Sequence, residues 1–155
     1  MRSIFVAILF LTACIKHQPA HFMTVTVTAA EATCEKDSES WYLLRLEGID
    51  NLASFRKEKQ HGSMRIEDFF EAWDLERPLD ERLENGRLSF ALTLKVKTLP
   101  IRIQKVQYDP LVEELTLMIQ PLDLRENLPT RMHGVELIFI IDVEDQLFWN
   151  KWMGL

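Results

Sequence analysis

The strongest constraint in this sequence is a regular alternation of apolar and polar residues. From Leu88 to Val96 every second residue is large and apolar, and most residues between them are small or polar. Successive side chains of a strand point to opposite faces, so this period of two predicts strands with one buried face and one solvated face. The same alternation recurs at positions 23–29, 41–47, 115–119 and 135–143.

Turn-forming residues mark the ends of these stretches. Asn85–Gly86 predicts a tight turn before the strand that contains Leu88, and Pro100 predicts a break after it. Beyond residue 101 the apolar positions change phase, which indicates a bulge near Gln104. Asp109–Pro110 predicts the next turn.

One segment has the period of a helix. Ser63 is placed as its N-cap, and the acidic residues of its first turn suit the positive end of the helix dipole. The charged stretch 56–62 before it has no apolar period and is predicted to be a loop. The residues that share one face of the predicted helix are Ile66, Phe69, Phe70 and Trp73.

Several strands that do not alternate with helices favour a mainly β fold. We therefore predict an antiparallel β-sandwich with one short inserted helix. A length of 155 residues fits one domain, and no internal repeat or second domain is evident.

Composition excludes several classes of function. The chain carries 24 acidic and 18 basic residues, a formal net charge of -6, and so lacks the basic footprint of a nucleic-acid-binding protein. Five glycines and no Gly-rich motif leave little basis for a phosphate-binding loop. The four histidines lack the spacing of metal ligands. We expect no enzymatic activity, no small-molecule substrate, no cofactor and no metal.

The N-terminus has the pattern of an export signal. Arg2 precedes an apolar run that is too short to span a bilayer, and the run ends in Leu11-Thr-Ala-Cys14, which resembles a bacterial lipoprotein box. We expect residues 1–13 to be a lipoprotein signal peptide, Cys14 to be acylated, and residues 14–21 to form a tether. The β-sandwich domain would then comprise residues 22–155. The residue after the cysteine is Ile15 and not the Asp that retains many lipoproteins at the inner membrane, so the resemblance implies transfer to the outer membrane. The alternative is a buried strand with a chance cysteine.

Two other features leave alternatives open. Cys34 is the second cysteine, and it is either buried or located in a binding loop where oxidation would matter. The C-terminal aromatic residues Phe148, Trp149 and Trp152 either seal the core or form a binding hot spot.

Several motifs together suggest a family. Besides the lipobox they are a Thr-rich strand at 25–30, the strand end Leu43-Leu-Arg-Leu46, Phe55, and the helix Asp68-Phe-Phe-Glu-Ala-Trp73. In this order they resemble the outer-membrane lipoprotein of the type VI secretion system, the TssJ family. The resemblance extends from about Met23 to Leu94.

The resemblance implies a transthyretin-like β-sandwich, anchored by its lipid to the periplasmic face of the outer membrane. Such a protein binds the periplasmic domain of an inner-membrane secretion protein (TssM-like) and helps to assemble a trans-envelope secretion complex. In this family a loop between early strands contacts the partner. The nearest positions here are residues 33–40 and the charged stretch 56–62. The residues we expect to bind the partner are Thr33, Glu35, Lys36, Asp37, Glu39, Arg56, Lys57 and Lys59.

An alternative function is that of a pilotin-type lipoprotein, which escorts an outer-membrane secretin. That function requires a hydrophobic groove able to hold one amphipathic peptide. A third class, a periplasmic hydrolase or inhibitor on a lipid tether, has no motif in its favour.

Overall fold

The computed structural model describes residues 22–74 and 83–142. The predicted signal peptide (1–13), the tether (14–21) and the C-terminal aromatic residues lie outside these ranges. Within them the chain forms eight strands and one helix. These are β1 Phe22–Lys36, β2 Tyr42–Ile49, β3 Leu52–Lys57, β4 Gln60–Arg65, α1 Ile66–Asp74, β5 Leu83–Ala91, β6 Val96–Asp109, β7 Glu114–Pro121 and β8 Arg131–Asp142.

Six of these strands pair in a closed ring, and every pairing is antiparallel. The ring runs β1-β2-β7-β6-β5-β8 and returns to β1. It closes because β1 is long: one edge pairs with β8, and the other pairs first with β3 and then with β2. The inward faces enclose the core, so the predicted antiparallel β-sandwich with one short helix is confirmed.

β1 changes partner where its alternation shifts by one residue. Its inward-facing residues are odd-numbered from Met23 to Ala29 and even-numbered from Ala32. Gly48 of β2 lies opposite this shift with a φ of 62°, and a side chain there would approach the Ala30 Cβ at 3.1 Å. Positive φ and close approach both favour glycine at this position.

The helix packs aromatic rings onto the core. Phe69 is completely buried, and the Phe70 ring stacks on Tyr108 with 5.3 Å between centroids. Phe70 also meets the edge of Phe139 at 6.1 Å. The predicted helix is therefore confirmed, although Ser63 lies within β4 and is not its N-cap.

The strand predicted from Leu88 to Val96 is two strands. β5 ends at Ala91 and β6 begins at Val96, joined by a turn in which the Leu92 N–H donates to the Lys95 carbonyl at 2.7 Å. The turn was missed because it contains no glycine, proline or asparagine.

The turn predicted at Asn85–Gly86 is also wrong. Gly86 pairs with Ile101 and Phe139 in mid-strand. A Cβ there would lie 2.5 Å from the Ile138 carbonyl oxygen, so glycine permits a close approach of backbone and does not form a turn.

Pro100 does not break the sheet as predicted, because it lies within β6 opposite Arg87. The predicted bulge is confirmed by a register shift between Gln104 and Gln107, where Lys105 has a φ of 53°. The turn after Asp109 is confirmed as well, and the Asp109 carboxylate accepts the Leu111 N–H at 3.0 Å.

The predicted loop 56–62 is a β-hairpin. β3 and β4 pair from Leu52–Arg65 to Lys57–Gln60 and leave Glu58 and Lys59 as the connection. The prediction failed because the hairpin buries little: Ala53 is buried, and Phe55 and Met64 are partly buried.

Candidate functional site: two separate surfaces

The expected partner-binding residues fall on two surfaces. Thr33 to Glu39 lie at the end of β1, whereas Arg56 pairs with Thr24 near its beginning. Thr33 lies nine residue steps after Thr24, which corresponds to about 30 Å along the strand. The structure therefore does not bring the two groups together.

The first surface, which we name the loop end, consists of the connections 37–41, 92–95 and 122–130. Hydrogen bonds join it to the neighbouring strands: Gln120 Nε2 donates to Ser40 Oγ at 2.8 Å, and the Leu122 N–H donates to the Pro100 carbonyl at 3.1 Å. The Cys34 N–H donates to the Thr130 carbonyl at 2.9 Å. The register adds the connection 92–95 to the same end, because Ser89 pairs with Glu136 near the start of β8 and Thr33 pairs with Arg131.

The β1–β2 turn carries the acidic part of the loop end. The Asp37 and Ser38 N–H groups both donate to the Trp41 carbonyl, at 2.9 and 3.2 Å, so the turn is closed by its own backbone. Glu35, Asp37 and Glu39 are exposed. Thr33, Glu35 and Lys36 belong to β1, so the prediction that residues 33–40 form a loop holds only from Asp37 onward.

The loop end also carries exposed leucines. Leu94, at the tip of the β5–β6 turn, is 97% exposed, and Leu124 is 69% exposed. Leu92, Val96 and Leu122 are exposed beside them. Alternation had assigned Leu92, Leu94 and Val96 to a buried face, so sequence reasoning missed this apolar set. Leu92 and Leu94 continue the alternation of β5 past its end at Ala91, so the sequence pattern does not distinguish them from buried residues.

Ion pairs brace the β7–β8 connection. Lys97 Nζ lies 2.7 Å from Glu126 Oε2, and Arg125 Nε lies 3.1 Å from Asp123 Oδ1. The hydrogen bond from the Arg125 side chain lowers the pKa of Asp123, and this carboxylate also accepts the Arg125 N–H. The charges nearest to Leu122 and Leu124 thus already have partners.

Cys34 does not belong to the exposed surface. Its side chain is buried, and desolvation raises the pKa of its thiol to about 12, with a smaller contribution from Glu35. A thiol of this kind is almost entirely protonated at neutral pH and is a poor nucleophile. The buried alternative is therefore the one observed.

The second surface is the β3–β4 hairpin. Residues 52–65 carry four basic side chains and one acidic side chain, although the whole chain is acidic. A cleft of about 650 Å³ opens beside the hairpin. Arg56 and Lys59 line this cleft, whereas Lys57 is half-buried outside it. The other lining residues are Thr24, Thr26, Ser54, Phe55, Glu58, His61 and Gly62.

The outer face of the sheet continues from this cleft. Residues opposite each other on neighbouring strands share a face, so the register defines rows across it. One row runs through Arg102, Asn85, Ile140, Thr24, Arg56 and His61. A second row, parallel to it, contains Arg87 and Ser54 at its ends, with Ile138 and Thr26 between them.

No metal centre or membrane span emerges from the described residues. In the ranges 22–74 and 83–142, no three His, Cys, Asp or Glu side chains group closely enough to hold a metal ion. The helix found there is too short and too polar to cross a membrane. Comparison with known proteins gives no match: no family model, curated protein or solved structure is significantly similar to this chain.

Proposed function

We propose that this chain is a lipid-tethered docking protein at the periplasmic face of the outer membrane. It binds the periplasmic domain of an inner-membrane secretion protein and helps to assemble a trans-envelope, type VI-like secretion complex. The observation that carries this proposal is the course of β1, which has the predicted anchor near its beginning and the loop end at its other end. This strand begins at Phe22, eight residues after Cys14, and runs along the domain to the loop end.

The loop end has the composition of a binding surface. Leu94 and Leu124 provide apolar area that gains free energy when a partner removes it from water. Glu35, Asp37 and Glu39 provide a charged rim, which steers association and selects the partner. Surface leucines scattered singly need no explanation, but five of the nine exposed large apolar residues of the described ranges lie in or next to the loop-end connections, which favours a docking function.

The physical mechanism is anchoring combined with recognition. The two or three acyl chains of a bacterial lipoprotein hold a domain at a membrane far better than one chain does. Several anchored copies around one assembly raise the effective concentration of each weak contact. No covalent chemistry is required.

The pilotin alternative receives less support from the described surface. A pilotin needs a hydrophobic groove, but the cleft beside the hairpin contains few large apolar side chains. Phe55 is its one large apolar side chain.

Removal of the rim charges tests the docking surface. The partner is first recovered from envelope membranes with the wild-type protein. At low salt the triple variant Glu35→Ser, Asp37→Ser, Glu39→Ser should bind this partner more slowly than the wild type does. Its association rate should also depend less on salt than that of the wild type, because exposed charges act mainly on the rate. Stability should change by about 0.5 kcal/mol per site or less. A matched control removes Glu47, Asp50 and Glu71, which are exposed acids outside the loop end. Equal rates for the wild type and the loop-end variant would contradict the proposal.

Leu94→Ser tests the apolar part of the same surface. Because Leu94 is almost fully exposed, its replacement should leave the melting temperature unchanged and weaken partner binding roughly tenfold. Leu111→Ser is the control, since Leu111 is 93% exposed but lies in the β6–β7 turn. Equal losses of binding for the two variants would show that the loop end has no special role.

Cys14→Ser tests the anchor. We expect it to abolish incorporation of palmitate and to leave uncleaved or soluble protein. Palmitate labelling of this variant at the wild-type level would rule out Cys14 as the acylated residue.

A further inference from the structure

In the part of the chain that the structure describes, β4 has an open edge. Among the described strands, each of the other seven has at least two hydrogen-bonded neighbours, whereas β4 pairs with β3 alone. The outward N–H and C=O groups of such a strand are a template for one more strand. Its sequence, Gln60 to Arg65, contains no proline to block this addition.

The side chains around this edge are suited to an anionic occupant. Arg56 and Lys59 line the cleft on the same side as the hydroxyl-bearing residues Thr24, Thr26 and Ser54. Glu58 is the one carboxylate in the lining. Arginine and lysine donate charge-assisted hydrogen bonds to carboxylates.

The register brings the open edge and the basic side chains together. His61 of β4 stands opposite Arg56 of β3, and Arg56 stands opposite Thr24. A strand added to β4 would place its outward side chains about 5 Å from His61 and about 10 Å from the Arg56 backbone. The long Arg56 side chain and a glutamate side chain together can span that separation.

Gly62 lies on the face of the hairpin opposite to Arg56 and His61, because adjacent residues of a strand point to opposite faces, and it borders the cleft. It stands opposite Phe55, and a Cβ at Gly62 would lie 2.8 Å from the Phe55 ring. The ring therefore lies against the glycine backbone, in the space that a side chain would fill. An apolar residue next to a carboxylate in the added strand would point to this face and contact the ring.

We propose that the β3–β4 hairpin binds an extended, acidic segment of a partner protein, which adds as a strand beside β4 and directs carboxylates to Arg56 and Lys59. The site lies about 30 Å along β1 from the loop end. It is a second binding site, and it does not depend on lipid anchoring or on the docking function proposed above.

The test uses the full chain and a fluorescent peptide of about ten residues that alternates glutamate and valine, a length that covers β4 with a margin. Binding is followed by fluorescence anisotropy at low salt, and hydrogen exchange is measured for the amides of β4. We expect binding that weakens as salt rises, together with slower exchange in Gln60–Arg65 when the peptide is present.

Two comparisons separate charge from strand addition. The double variant Arg56→Gln, Lys59→Gln should weaken peptide binding about tenfold or more. The matched control Lys95→Gln, Arg131→Gln removes one lysine and one arginine at the loop end and should leave binding unchanged. A peptide with every backbone amide N-methylated keeps its charge but has no N–H group left on either edge to pair with β4, and it should not bind.

Three results would overturn the proposal. One is equal binding of a peptide in which glutamine replaces glutamate. Another is undiminished binding of the N-methylated peptide. The third is binding of water-soluble, short-chain phosphatidylglycerol that requires Arg56 and Lys59 while the acidic peptide fails to bind, which would make the hairpin a lipid-headgroup site. The effect of the triple variant Glu35→Ser, Asp37→Ser, Glu39→Ser on docking at the loop end tests only the docking function proposed above, and not binding at the hairpin.

Discussion

The six-stranded ring and the β3–β4 hairpin are stabilised in different ways. Every ring strand has partners on both edges and contributes buried side chains to one core, to which the helix adds Phe69 and Phe70. The hairpin is attached to the ring through a short pairing of β3 with Thr24–Thr26 and buries only Ala53 completely. The ring is therefore specified by packing, whereas the hairpin is specified mainly by strand pairing and its turn.

This difference also divides the functional surfaces. The loop end connects ring strands, so its three connections are held by a rigid core and can present side chains without contributing to stability. The hairpin combines an open edge with basic side chains, two features that a core would not permit. Substitutions should consequently affect stability in the core of the ring, and binding at the loop end and in the hairpin.

Phe70→Ala is expected to give the largest loss of stability. Its ring contacts Phe69, Tyr108 and Phe139, with centroids 4.9, 5.3 and 6.1 Å away. Truncation leaves a cavity and should lower the free energy of unfolding by about 3–5 kcal/mol, measured by denaturant titration. Glu71→Ala, one residue further on the exposed side of α1, is the control and should cost less than about 0.5 kcal/mol. Unchanged stability of Phe70→Ala would show that this face of the helix does not contribute to the stability of the core.

The same division explains what could be predicted from the sequence. Alternation predicted β1, β2, β7 and β8 because each buries one face, and a period of 3.6 predicted α1 for the same reason. It could not predict the hairpin, where the residues between Phe55 and Met64 bury almost nothing. Leu94 shows the converse error, because a leucine at an alternating position can be almost fully exposed at a turn.

The candidate site was predictable only in part. Asp37, Glu39, Arg56 and Lys59 were predicted to bind the partner because they are charged and lie outside the predicted strands. The sequence alone could not show that they lie on two surfaces. Their separation depends on β1, which pairs with β3 near its start and with β2 near its end. Long-range register of this kind has no local signature.

Two glycine substitutions compare the ring and the hairpin directly. Gly86→Ala would place a methyl group 2.5 Å from the Ile138 carbonyl oxygen and 2.6 Å from Ile103 Cδ1. The backbone of β8 cannot move without disturbing the sheet, so we expect a loss of about 1–3 kcal/mol. Gly62→Ala meets the far end of the half-buried Phe55 side chain, which can rotate away, so its cost should be below about 1 kcal/mol. Equal losses in denaturant titration would contradict the distinction.

The buried thiol of Cys34 predicts a pH dependence that belongs to the ring. Its folded pKa of about 12 lies above the ordinary value of 9.0, so the thiol is protonated in both states at neutral pH. Above pH 9 only the unfolded thiol ionises, and stability should fall as pH rises, on the order of 1 kcal/mol by about pH 10. Cys34→Ala removes this contribution while keeping the other titrating groups, so the stability difference between variant and wild type should shift in favour of the variant over that range. A constant difference would show that the folded thiol titrates normally.

Glu58→Gly should give the smallest effect, and it should be stabilising. Glu58 occupies the two-residue connection of the hairpin with a φ of 54°, a conformation that costs a residue with a Cβ about 1 kcal/mol or more. Glycine adopts it freely but also gains freedom in the unfolded chain, so the net gain should be roughly 0.5 kcal/mol. The substitution also removes the one carboxylate of the cleft, and binding of the acidic peptide should therefore strengthen at low salt. Glu58→Gln separates the two contributions, because it removes the charge but keeps the strain. If Glu58→Gln strengthens binding and only Glu58→Gly raises stability, charge governs recognition at the hairpin and the turn governs its folding.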